Sequence, residues 1–137
     1  MDEALTKLTR EWLTRALHDL QTSRITANAV DGPLDTAIYH CQQAAEKAVK
    51  GFLTANHVCF EKTHDIRRLV RQAAEVLPEF TRFATAAEIL TPYVSAFRYP
   101  GLSDEQMPSR EEFDLALEHA EAIYDFVVNR LPPEAQP

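Results

Sequence analysis

Between Tyr39 and Leu53 the chain reads YHCQQAAEKAVKGFL. Apolar side chains recur there every three to four residues and alanine fills much of the remainder. That spacing specifies an amphipathic α-helix and does not suit a strand, whose side chains alternate with a period of two. Small side chains also let a neighbouring helix approach closely, either inside a bundle or across a dimer. The helix is expected from about Leu34 to Asn56, with Ile38, Cys41, Ala45, Ala48, Phe52 and Ala55 facing inward. Tyr39, Gln43, Glu46, Lys47 and Lys50 form its polar stripe, in which Glu46 and Lys50 make a favourable i,i+4 pair.

The same helical period runs through the rest of the chain. A first helix is expected from about Glu3 to Ala27, with Leu5, Leu8, Trp12, Ala16 and Leu20 on one face, and Asp31-Gly32-Pro33 ends it. A loop from His57 to Thr63 carries Val58 and Phe60, expected to pack back onto the bundle. Thr63 reads as the N-cap of a helix from His64 to about Val76, and Asp65 in its first turn suits the helix dipole. Pro78 marks a stop. The stripe Phe80, Phe83, Ala87, Leu90, Val94 and Phe97 then keeps its phase through Pro92, which predicts one kinked helix. Proline in a helix interior costs roughly 3 kcal/mol, so a kink kept at that cost would serve to aim Arg98. Pro100 to Pro108 reads as loop. Ser109 with Glu112 forms a capping box that opens a last helix running to about Leu131, and the tail PPEAQP is expected to be disordered. The expectation is an all-α, up-and-down bundle of four or five helices, a single domain over residues 1–131.

With 137 residues, 45% hydrophobic and 26% charged, the chain is long enough for one real core. No apolar run approaches the length needed to span a bilayer, and MDEALTKLTREWL is acidic where a signal peptide is basic, so a cytoplasmic protein is expected. Cys41 and Cys59 make neither a disulfide framework nor a metal motif, and no HExxH or CxxC pair occurs, so neither metal nor cofactor is expected. A net charge of -7 argues against broad nucleic-acid binding, which requires many phosphate contacts. A local basic pocket built from Arg67, Arg68 and Arg71 with Lys47, Lys50 and Lys62 stays open, beside the simpler reading of a solvated charged face.

Two residues have chemical potential of their own. Arg98, flanked by Tyr99 and preceded by Tyr93, suits bidentate phosphate binding with an aromatic ring for stacking; a cation at a helix C-terminus also simply satisfies the dipole. His64, in Thr63-His64-Asp65, suits acid–base chemistry or, more simply, capping and packing. His40 and His57 come with no accompanying pattern.

Gln43-x-x-Glu46-Lys47-Ala48-x-Lys50, Thr63-His64-Asp65-Ile66 and Tyr93-x-x-x-x-Arg98-Tyr99-Pro100 together resemble the HEPN family, over roughly Trp12 to Val128. The resemblance implies a helical bundle, usually a homodimer. It implies association with a nucleotide, RNA or a partner nucleotidyltransferase, often in prokaryotic toxin–antitoxin or defence modules. It marks Arg98 as the functional landmark, with Tyr99, Lys47, Lys50, Gln43 and Tyr39 as nucleotide-binding residues. Its ribonuclease branch places a histidine after the arginine with four to six residues between them, where this chain has Ser103, Asp104 and Glu105. Arginine cannot serve as a base at neutral pH, so a non-catalytic binding module is the expectation. The alternatives are a metal-independent endoribonuclease pairing Arg98 with a histidine such as His64, and an interaction-only helical protein.

Overall fold

Asp2 opens the first helix, its carboxylate accepting the Leu5 backbone N–H at 2.7 Å. A computed structural model describes residues 1–101 and 107–137, and among them every regular element is helical. Helix α1 spans Glu3–Asn28, α2 Leu34–Ala55, α3 Ile66–Val76, α4 Ala84–Leu90 and α5 Arg110–Val128. Short 3₁₀ turns cover Pro78–Phe83, Thr91–Val94 and Pro133–Ala135. No helix among the described residues is long and apolar enough to cross a membrane. The stretch holding Ser103, Asp104 and Glu105 lies outside the described residues.

Helix α2 is the axis of the bundle, packed by α1, α3 and α5 and buried almost all round. Ala37, Ala44, Ala45 and Ala48 are fully buried inside this one chain, as are Phe80 and nearly so Phe83. The apolar surface that the alanine-rich sequence suggested for a partner is therefore consumed by the chain's own helices. Helices α1 and α2 meet closely at Gly51, where a Cβ would stand 2.2 Å from Leu13 Cδ2 and 3.2 Å from Trp12 Cβ. Seating Leu13 there turns α1, so its buried face is Thr9, Leu13, Ala16, Leu20 and Ala27, and Leu8 faces outward at 47% exposure. The expected stripe through Leu5, Leu8 and Trp12 is thus displaced by about one residue.

Three other expectations are corrected. Helix α3 starts two residues later than expected and is capped by Asp65, whose carboxylate accepts the Arg67 N–H at 3.0 Å. Thr63 Oγ1 instead accepts the Asp65 N–H, and the His64 carbonyl takes a bond from Gln42, which holds His64 outside the helix. The kinked helix through Pro92 is in fact α4 ended by a 3₁₀ turn. Proline at the first positions of a new turn has no N–H to waste, and the Thr91 hydroxyl donates to Ala87 O at 2.7 Å. The phase of burial persists even so, with Phe80, Phe83, Ala87 and Leu90 all inside. Finally, α5 stops at Val128 and the tail docks instead of fraying. Ala135 is buried, and Gln136 Nε2 donates to the Val128 and Leu131 carbonyls at 3.0 and 2.9 Å, which ties the tail to the end of α5.

Candidate nucleotide site

The polar stripe of α2 divides into two clusters. The first is internal. Glu46 Oε1 accepts from Gln42 Nε2 at 3.1 Å and stands 3.0 Å from His64 Nδ1, while Oε2 accepts from Lys50 Nζ at 3.1 Å. Gln43 Nε2 donates to Gln42 Oε1 at 2.7 Å. Lys50 also lies 5.6 Å from the Trp12 ring centroid and 5.7 Å from that of Phe60, so the loop residue Phe60 does pack back. Gln43, Glu46 and Lys50 are buried. Of the expected binding residues, Gln43 and Lys50 are thus committed to this network, which fastens the α2–α3 loop. His64, though its side chain is 67% exposed, hangs from Glu46 and is not among the residues that line the Arg98 cavity described next.

The second cluster opens outward. Arg98 follows the Thr91–Val94 turn and donates to Val94 O at 3.3 Å. Its guanidinium carbon sits 4.2 Å from the Tyr39 ring centroid and 5.4 Å from that of Tyr99, a cation held over aromatic faces. Beneath it lies a concavity of about 300 Å³ lined by Asp35, Thr36, Tyr39, His40 and Arg98. Among the described residues no carboxylate pairs with Arg98, although Asp35 shares its cavity with one oxygen bonded to the Thr36 N–H. Tyr39, Arg98 and Tyr99, from two distant stretches of the sequence, are brought together. Tyr93 is not with them: its hydroxyl donates to Glu112 Oε2 at 2.6 Å and its ring stacks on Phe97. Glu112 is consequently only half of a capping box, its N–H bonded to Ser109 Oγ while its carboxylate takes Tyr93.

Behind the cavity stands a group the sequence did not single out. Asp19 of α1, with its side chain 9% exposed, holds His40 Nδ1 at 2.8 Å on one oxygen and Lys47 Nζ at 2.7 Å on the other. Lys47 therefore touches Asp19 and not the Arg98 cavity, and lines a separate hollow with Leu8, Glu11, Trp12 and Arg15. The sequence did carry a signal: an acidic residue between Ala16 and Leu20 on a buried face needs a cation from elsewhere, and His40 and Lys47 lie two turns apart on one face of α2.

The other basic cluster resolves into the solvated face. Arg67 pairs with Asp65 and Glu88, and Arg68 with Glu61. Hydrogen bonding to Asp65 raises the Arg67 pKa and, from the other side, lowers that of Asp65. In the shallow hollow that holds Arg68 and Arg71, Glu61 already takes the Arg68 guanidinium and Glu75 lines the same wall. Lys47 and Lys50 are not part of it.

The chain is similar in structure to TT1696 from Thermus thermophilus, with a TM-score of 0.77 and 30% identity over 90% of this chain and 98% of that one. It shares its fold with ST0689, an archaeal HEPN homologue, at a TM-score of 0.71 and 24% identity over 89% and 96% of the two chains. No curated protein matches. The model of the HEPN domain matches residues 9–131, nearly the whole bundle, and on that match the chain belongs to the HEPN family.

Proposed function

We propose that this HEPN domain is a binding module for a nucleotide phosphate, carried by a free nucleotide, an RNA or a nucleotide-bearing partner such as a nucleotidyltransferase. The observation that carries the reading is Arg98 held over Tyr39 at the mouth of a cavity, with no described carboxylate paired to its guanidinium. A guanidinium positioned by a ring beneath it keeps its N–H edge for a phosphate, and planar bidentate donation suits that partner. The cavity also borders the first turn of α2, whose N-cap Pro33 offers no side-chain bond to the first-turn N–H groups. The Asp35 carboxylate takes the Thr36 N–H in that turn, so the anion-binding group of the site is Arg98. The exposed ring of Tyr99, at 52%, stands ready for a base. A two-fold dimer that brings two such cavities together, within a toxin–antitoxin or defence module, is the setting we propose from family membership.

Arg98 has no lone pair to accept a proton and His64 is tied to Glu46 outside the cavity, so the ribonuclease alternative would have to draw its base from His40 on the cavity wall, and binding without cleavage is the reading we propose. Calorimetry with ATP, GTP and NAD should give a dissociation constant weaker than roughly 10 μM, as a shallow cavity buries little ligand, and Arg98→Ala should weaken it about tenfold or more. Mixed RNA incubated with the protein and EDTA should stay intact. Cleavage that persists in EDTA and disappears in Arg98→Ala together with His64→Ala or His40→Ala would overturn the binding-only reading. Folded protein that gives no heat with any nucleotide or RNA would leave an interaction-only domain.

A further inference from the structure

Resting on the nucleotide reading of the same cavity, we infer that His40, positioned by Asp19, forms a subsite for a ribose hydroxyl beside the Arg98 phosphate position. The ligand class is then a ribonucleotide, free or as a unit of an RNA strand, in preference to its deoxy counterpart.

The argument begins with Asp19. An ionised carboxylate only accepts hydrogen bonds, so the ring nitrogen 2.8 Å from Asp19 Oδ1 must carry the hydrogen. In the neutral ring the other nitrogen, Nε2, is then an acceptor. Lys47 Nζ grips the second Asp19 oxygen at 2.7 Å, so the carboxylate is held from both sides and cannot swing away from the histidine. His40 also packs edge-on against Tyr39, with ring centroids 5.4 Å apart, which fixes the ring plane next to the residue that carries Arg98. An ion pair between Asp19 and Lys47 would by itself hold α1 to α2. The added histidine, on the cavity wall and with a defined tautomer, is what a hydroxyl-reading site requires.

With His40 neutral, the residues that line the cavity include a cation and two acceptors. Arg98 offers N–H donors that match phosphate, while His40 Nε2 and the Asp35 carboxylate offer lone pairs that match hydroxyl hydrogens. A bare phosphate has no use for the acceptors, and a deoxyribose leaves one unmatched. A phosphate with a neighbouring ribose hydroxyl satisfies both kinds of group. An acceptor that loses its hydroxyl partner is the usual source of discrimination against the analogue lacking it.

The test is calorimetry of the full chain with ATP against 2′-deoxy-ATP and 3′-deoxy-ATP, and with GTP against 2′-deoxy-GTP, together with an RNA and a DNA pentamer of one sequence. A preference of roughly tenfold for the ribo form is expected, as one modest hydrogen bond supports. The free nucleotides and the pentamers tell whether the ribose is read in a monomer or in a strand. His40→Asn can keep the bond to Asp19 while removing the Nε2 acceptor. It should bring the ratio near one, the ribo form losing more affinity than the deoxy form. His40→Ala, checked for folding by circular dichroism, should do the same, whereas Arg98→Ala should weaken both forms alike. Ribo and deoxy forms bound equally, both dependent on Arg98, would overturn the ribose subsite and leave the nucleotide reading standing. A preference that survives His40→Asn would take the subsite away from His40. Absence of binding by either form would remove both readings.

Discussion

Arg98 and Cys41 show how much a side chain's surroundings change what it can do. Arg98 gains its interest from Tyr39, a ring contributed by another element, because a cation on a loop with no stacking partner would wander. Cys41 is the opposite case. Burial pushes its thiol up to about 12, and its Sγ lies 3.6 Å from Ala37 O, so it has no thiolate to offer at neutral pH. Cys59 is exposed. A maleimide at pH 7.5 should therefore label one thiol per folded chain and two in denaturant, with Cys59→Ser abolishing the fast reaction. Rapid labelling of both thiols in the folded protein would contradict the packing described around Cys41. Asp65 supplies a second residue-scale expectation. As the α3 cap it accepts two bonds from the Arg67 side chain besides the backbone bond, and these hold its pKa below the ordinary 3.8. A depressed carboxyl stabilises the fold above its unfolded pKa, and that contribution is lost as pH falls through the lower folded value. Asp65→Ala should thus cost about 1 kcal/mol at pH 7, in the range of N-cap removals. The difference from the unaltered protein should close in urea titrations carried below pH 3.8, and a gap that instead widens with acid would reverse the sign of the linkage.

At the scale of elements, the polar network on α2 is a fastening for the α2–α3 loop. Glu46 alone connects Gln42, Lys50 and His64, and Gln42 reaches on to the His64 backbone. Removing it would leave the Lys50 ammonium buried without its carboxylate, beside two aromatic rings that offset only part of the loss. Breaking a buried pair in this way commonly costs about 3 kcal/mol or more. Glu46→Ala should lower the midpoint of thermal unfolding by roughly 10 °C, on the usual scale of a few degrees per kcal/mol for a domain of this size. A loss of only a degree or two would show that water reaches Lys50 and that the network is dispensable. The same scale explains why Pro92 is tolerated. It begins a 3₁₀ turn whose geometry carries the chain off the helix axis and leaves Arg98 facing α2.

For the whole molecule, assembly is the open expectation. The alanines of α2 from Ala37 to Ala48 are inside the bundle, so a dimer that joins two Arg98 cavities would be built from the rim of the site, where Tyr99 is exposed. Light scattering at micromolar concentration should report near twice the 15.5 kDa chain mass if two Arg98 cavities meet across a two-fold axis. Tyr99→Glu should then split the pair and weaken nucleotide binding together. A monomer that binds nucleotide as well as the unaltered protein would place the site entirely within one chain.

The amino-acid sequence by itself determined the helical class, the family and most of the burial phase, including the inward face of α2 and the stripe from Phe80 to Leu90. It also supplied Arg98 and Tyr39 as candidates. These were legible because helical period, caps and breakers act over a turn or two, and neighbours along the chain carry the information. Tertiary structure decided the rest. Whether Lys50 faces solvent or Glu46 depends on Trp12 and Phe60 closing over it, and neither is a local neighbour. The rotation of α1 depends on a glycine in another helix. Asp19 and His40, 21 residues apart, acquire meaning only when α1 lies against α2. A buried charge obeys its cross-helix partner, because the cost of leaving it unpaired exceeds any preference of its own segment.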